Sequence, residues 1–203
     1  MIYKSYLLEQ NFKGADKNLF LFYGENEGLK NEFKHLIKQI NLKSEVIAFS
    51  QEEVLNNEDK FFNELNNISL FEKEKIFIID LATDKILSVI KEIEVKSINQ
   101  KIYLFSEILE KKSKLRNFFE KSDTCGICAC YADNALSIKK IILKKLSGFK
   151  GLSNQNINLI LDNCNLDRLK LNNELDKITT CFPNKEIIYE KLEELLNAKI
   201  NED

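Results

Sequence analysis

The chain has 203 residues, 44% hydrophobic and 31% charged, enough for two domains with real cores. Thirty Lys and Arg oppose thirty-two Asp and Glu, for a net charge of -2. No global basic field therefore recruits nucleic acid, and two arginines, Arg116 and Arg168, cannot form the clusters used for bidentate phosphate recognition. No apolar run approaches the roughly 20 residues of a membrane span. The N-terminus lacks the basic, apolar, small-residue order of a signal peptide. Five irregularly spaced cysteines suit a reducing compartment, so the expectation is a cytoplasmic protein.

Taken in order, residues 1–9 hold a short apolar alternation, and a polar loop containing Gly14 follows. Leu19 to Tyr23 is a continuous apolar run, short enough for a buried strand. Gly24 to Gly28 comes next, and then Leu29, Phe33, Leu36, Ile37 and Ile40 recur at helical spacing. Val46 to Phe49 is a second strand. Glu53 to Leu65 reads as one helix with Val54, Leu55, Phe61, Phe62 and Leu65 as its apolar positions. Ile76 to Ile79 and Ile102 to Phe105 are further buried strands, separated by a helix carrying Ile86, Leu87, Val89, Ile90 and Ile93. Ser113 is placed to cap a helix with Leu115, Phe118 and Phe119, and Gly126 to Cys130 is the last strand.

Five strands alternating with helices predict a mainly parallel sheet covered on both sides. After Tyr131 only helical stripes remain. Ala135, Ile138, Ile141, Ile142 and Leu146 form the first stripe, with Lys139, Lys140, Lys144 and Lys145 opposite. Ile157, Leu159, Ile160 and Leu161 mark the second; Leu171, Leu175, Ile178 and Phe182 the third, stopped by Pro183. Ile187, Ile188, Leu192, Leu195 and Leu196 make the fourth. The predicted organisation is an α/β domain over residues 1–133 and a small all-helical domain over 134–203.

Four features invite a chemical reading. The strand–glycine–helix entry is where a P-loop would stand, and a working one needs G-x-x-x-x-G-K-[ST]. Here Gly24 and Gly28 are one residue too close, Leu29 takes the lysine's place, Lys30 comes one position late, and Asn31 supplies no hydroxyl side chain. The outline of a phosphate loop survives without the groups that hold phosphate and Mg²⁺. Cys125, Cys128 and Cys130 contain one C-x-x-C, but the single histidine, His35, lies far away, so small residues of a buried strand are expected rather than a metal site. The four lysines after Asn134 read as a solvated helix face, with phosphate contact as the alternative. Leu70 and Phe71 are adjacent large apolar residues followed by Glu72, Lys73, Glu74 and Lys75. Neighbouring helix positions point about 100° apart, so one buried stripe does not readily take both. They either tuck under the sheet edge or serve as a plug for another protein's apolar pocket.

One ordered series of segments resembles a known family. Leu19 to Phe33, Ser69-Leu70-Phe71 before a buried strand, Ser113 to Arg116, Cys130 to Asn134, Gly151 to Ser153, and Asp167-Arg168-Leu169 followed by Glu174, Leu175 and Lys177 resemble the delta subunits of bacterial DNA polymerase III clamp loaders. The resemblance implies an AAA+-like (P-loop NTPase-like) fold without ATPase activity or cofactor, working inside the polymerase III holoenzyme. It implies binding to the ring-shaped sliding clamp (the beta subunit) and opening of that ring. The family's wedge residues match Leu70 and Phe71, with Ser69 beside them. A third, collar-forming domain is expected to be absent, which would leave assembly with other loader subunits dependent on a collar supplied elsewhere. DNA would be met indirectly or weakly, and no membrane is involved. Two alternatives stay open: a divergent P-loop ATPase, and a DNA-binding helical module.

Overall fold

The computed structural model describes residues 1–12, 17–67, 74–96 and 100–197. Contacts divide the chain into a sheet unit (1–25 and 30–130) and a helical unit (26–29 and 131–203).

The sheet has six strands: β1 (Ile2–Tyr3), β2 (Leu19–Tyr23), β3 (Glu45–Ser50), β4 (Lys75–Asp80), β5 (Lys101–Ser106) and β6 (Cys125–Ala129). Their spatial order is β1-β6-β2-β5-β4-β3, and every pairing is parallel. β2, β4, β5 and β6 are the continuous apolar runs, as interior strands buried on both faces must be. The sixth strand, β1, comes from the N-terminal alternation: two residues pair with Ile127 and Cys128, too short to be read as a strand in advance.

On one face, Leu19, Leu21, Phe77, Ile79, Ile102, Leu104 and Ile127 meet three groups of helices. These are α3 (Gln51–Asn56) with α4 (Glu58–Asn66), α5 (Leu87–Val95) and α6 (Lys114–Lys121). On the other, Phe22 stacks with Phe20 and Phe105, ring centroids 4.6 and 5.0 Å away, and meets the tilted ring of Phe33 at 4.8 Å. Phe33 and Ile37 belong to α2 (Glu27–Ile40), and both are fully buried. α1 (Ser5–Gln10) contributes Leu8 to the core.

Two expectations need correction here. The helix expected over Glu53 to Leu65 is two helices broken at Asn57, whose backbone N–H closes α3 on the Val54 carbonyl while its side chain caps α4 at the Lys60 N–H. The spacing of apolar residues persists across the break, which is why it reads as one stripe. Helix α5 is likewise preceded by a 3₁₀ turn, Asp84–Ile86. From that turn Asp84 also supports the start of α6: its carboxylate accepts from Ser113 Oγ at 2.6 Å and from the Lys114 and Leu115 N–H groups at 3.0 Å each.

The helical unit contains α7 (Ala135–Lys145), α8 (Asn154–Cys164), α9 (Arg168–Cys181) and α10 (Tyr189–Asn197). Its core is aliphatic: Ile138, Ile142 and Leu146; Ile157 and Ile160; Leu171, Leu175 and Ile178; Leu192 and Leu196. The first three helices are capped where the sequence provides Asn134, Ser153 and Asp167. Ala135 is exposed in the first turn of α7 rather than part of its buried stripe. Ile187 is buried but precedes α10, its N–H bonded to the Lys150 carbonyl in a short parallel bridge. None of the described helices is long and apolar enough to cross a membrane.

Candidate functional site

The loop from Gly24 to Gly28 connects β2 to α2 in the place of a phosphate loop, and its polar groups are engaged by the chain itself. Gly24 has φ +134°, and a Cβ there would stand 2.2 Å from the Cys130 carbonyl oxygen. Only glycine fits both the left-handed backbone and that approach. Its N–H donates to the Glu107 carbonyl.

Asn26, 8% exposed, caps α2. Its Oδ1 accepts from the Leu29 N–H at 3.0 Å, while Nδ2 donates to the Tyr131 carbonyl at 3.0 Å and to Asp133 Oδ2 at 2.7 Å. Gly28 lies in the first turn of α2, and a Cβ there would meet Arg168 Cβ and the Leu169 backbone nitrogen at 2.8 Å. The glycine admits the first turn of α9, within the helical unit.

Asp133 joins these pieces. Its side chain and that of Arg168 are 5% and 4% exposed. The guanidinium donates through Nε to Oδ2 at 2.7 Å and through Nη2 to Oδ1 at 3.0 Å, a two-point pair. Ser137 Oγ adds a third donor at 2.6 Å and Asn26 the fourth. Burial alone would raise the Asp133 carboxyl. The bonds from Arg168, Ser137 and Asn26, with the Arg168 charge, outweigh it and hold the group below its usual range.

In the sheet unit, Lys30 is 4% exposed and its ammonium donates to the Ser106 carbonyl at 2.9 Å. One turn later Lys34 pairs with Asp80 at 2.6 Å, at the end of β4, and lies 4.8 Å above the Phe105 ring. Both lysines of α2's first two turns are thus held by the ends of β4 and β5.

Ser69, Leu70 and Phe71 lie outside the described residues, between the end of α4 and the start of β4. Lys75, one of the charges following them, is not solvated: it opens β4, is 8% exposed, and pairs with Glu64 at 3.1 Å. Cys125, Cys128 and Cys130 are buried thiols, and burial pushes Cys125 upward. Among the described residues no group of three His, Cys, Asp or Glu is arranged to hold a metal ion. His35 meets Gln39 across one helical turn. Lys140, Lys144 and Lys145 are exposed, Lys139 half-buried, and Lys145 is paired with Asp176.

The sequence offered Gly24, Gly28 and Lys30 as the remnants of this site. It did not single out Asn26, Lys34, Asp80 or Asp133. An asparagine directly ahead of a helix is an N-cap signal that was available; Asp133 and Arg168 stood inside segments of the family resemblance, but nothing in the sequence paired them with each other or with Asn26.

No protein-family model and no curated protein sequence matches the chain. Among solved structures, the Bacillus subtilis DNA clamp loader delta protein is similar over 98% of this chain, with 14% identity and a TM-score of 0.62. A Thermotoga maritima RuvB variant is similar over 98% with 17% identity and a TM-score of 0.58. Drosophila ORC bound to DNA is similar over 96%, with 12% identity and a TM-score of 0.50. The chain spans 62%, 67% and 62% of those chains. At such identities the shared property is the fold, and that fold is AAA+-like.

Proposed function

We propose that this chain is a non-catalytic, clamp-binding subunit of a replication clamp loader, which engages a sliding clamp and opens its ring. The observation that carries the reading is the filled end of α2: Asn26 caps it, Lys30 is turned to Ser106, and Arg168 is committed to Asp133. A nucleotide-hydrolysing site needs the lysine and hydroxyl free for phosphate and Mg²⁺. The ordered segments from Leu19 to Lys177 and the likeness to the clamp loader delta protein support the same reading. In it, Leu70 and Phe71, with Ser69, form the apolar contact to the clamp, other loader subunits are partners, and DNA is met through the assembly. The test is to mix the chain with the sliding clamp of the same source and follow the pair by size-exclusion chromatography, with a Mg-ATP titration alongside. A one-to-one complex without added nucleotide, and no ATP binding, is the expected result. Stoichiometric ATP binding lost in Lys30→Ala would favour the divergent ATPase instead.

A further inference from the structure

The carboxylate of Asp133 is a buried anion with every donor supplied by side chains of this chain. Four hydrogen bonds reach it from three side chains on three different segments: Arg168 at the start of α9, Ser137 in the first turn of α7, and Asn26 ahead of α2. Both oxygens accept two bonds, and the pair Arg168–Asp133 is almost fully excluded from water. The same Asn26 whose Nδ2 touches the carboxylate uses its Oδ1 to cap Leu29, so the anion and the helix end are joined through one amide group. Gly28 removes the Cβ that would push the start of α9 away from this cluster.

We propose that Asp133 is a built-in anion, seated in a receptor of Arg168, Ser137 and Asn26, and that it holds the first turn of α2 in the helical unit constitutively, without any bound nucleotide or phosphate. The inference concerns this cluster alone and stands whether or not the chain binds a clamp.

It predicts a receptor that a small free carboxylate can refill once the built-in one is deleted. Amide hydrogen exchange at Leu29 in the full chain is the readout, with the β5 amides as an internal reference for global stability. In Asp133→Ala the Leu29 amide should exchange roughly a hundredfold faster, because the Asn26 amide that caps it loses its carboxylate partner and the buried Arg168 loses two charge-assisted bonds. Formate at tens of millimolar should restore at least a tenfold part of that protection, and chloride at equal ionic strength should not. Wild-type Leu29 should be unchanged by formate, inorganic phosphate or Mg-ATP. If Asp133→Ala fails to fold, Ser137→Ala removes one donor of the receptor and should speed Leu29 by about tenfold or less, together with the Asn134 amide that Ser137 Oγ caps, while the β5 amides stay unchanged. Equal exchange in wild type and variant, rescue by chloride as good as by formate, or protection of wild-type Leu29 by phosphate or Mg-ATP would each overturn the proposal.

Discussion

The two ends of the loop between β2 and α2 are held by different physics. Gly24, in the sheet unit, is fixed by backbone alone: a left-handed φ, a bond to the Glu107 carbonyl, and the Cys130 carbonyl against its α-carbon. Behind it lies an aromatic core in which Phe22 touches four rings. Gly28, in the helical unit, has ordinary helical geometry and faces the start of α9 at the Arg168 Cβ and the Leu169 backbone nitrogen; the Arg168 side chain is held in turn by Asp133. The unit behind it has an aliphatic core, and buries the Arg168–Asp133 pair as well as Asn156 and Glu174. The contrast teaches that two glycines four residues apart, one ahead of a helix and one in its first turn, can each be required by a different close approach within the chain. Both units rest on apolar cores; the helical one carries in addition a buried charge that costs little only while all its partners stay in place.

The contrast can be broken from its strong side first. Phe22→Ala leaves a cavity between fully buried rings and should cost about 3–5 kcal/mol of sheet-unit stability by chemical denaturation. Core truncation of that size approaches the whole stability of many domains, so a loss under about 1 kcal/mol would show that the ring stack is not the sheet's organising core.

The polar side should be sharpened by acid. Asp133 has its folded pKa depressed, so its contribution is fully present above the unfolded value of about 3.9 and is lost as pH falls through the still lower folded value. The facing groups are the permanently charged Arg168, the neutral Ser137 and Asn26, and the Cys164 thiol, which burial pushes up and which stays protonated in acid. Thermal melts of wild type and Asp133→Asn should therefore differ most near neutral pH and converge below about pH 4. A difference that grows in acid would give the sign wrong and remove Asp133 as the cause.

The smallest effect belongs to the lysines of α7. Lys140→Gln with Lys144→Gln should change stability by less than about 0.5 kcal/mol, since both side chains are exposed. DNA binding by the isolated chain should be weak and unchanged by the pair; a steep salt slope lost in that variant would instead favour the DNA-binding module.

How far the sequence anticipates this molecule depends on the range of the interaction. Strands β2, β4 and β5 were legible because consecutive apolar residues buried on both faces have few alternatives. The helical stripes were legible for the same local reason, although their ends were not: Asn57 breaks a stripe that the apolar spacing carries straight through, and Ile187 is buried without being helical. The short β1 depends wholly on pairing with β6. Gly24 and Gly28 were recognised as loop residues, but their neighbours, Cys130 and Arg168, lie more than a hundred positions away. Asp133 and Asn26 meet across a separation of 107 residues, and no local pattern announces that pair.

Whether this chain binds a sliding clamp through Leu70 and Phe71 can be decided on one double variant. Clamp affinity and melting temperature should be measured together for wild type and the Leu70→Ala, Phe71→Ala double variant. Truncating two such anchors typically costs about 2 kcal/mol each, roughly a thousandfold in affinity. If the pair is the clamp contact, that loss should come with a melting temperature close to wild type. A double variant that unfolds readily, or that stays folded and still binds the clamp with wild-type affinity, would contradict that role.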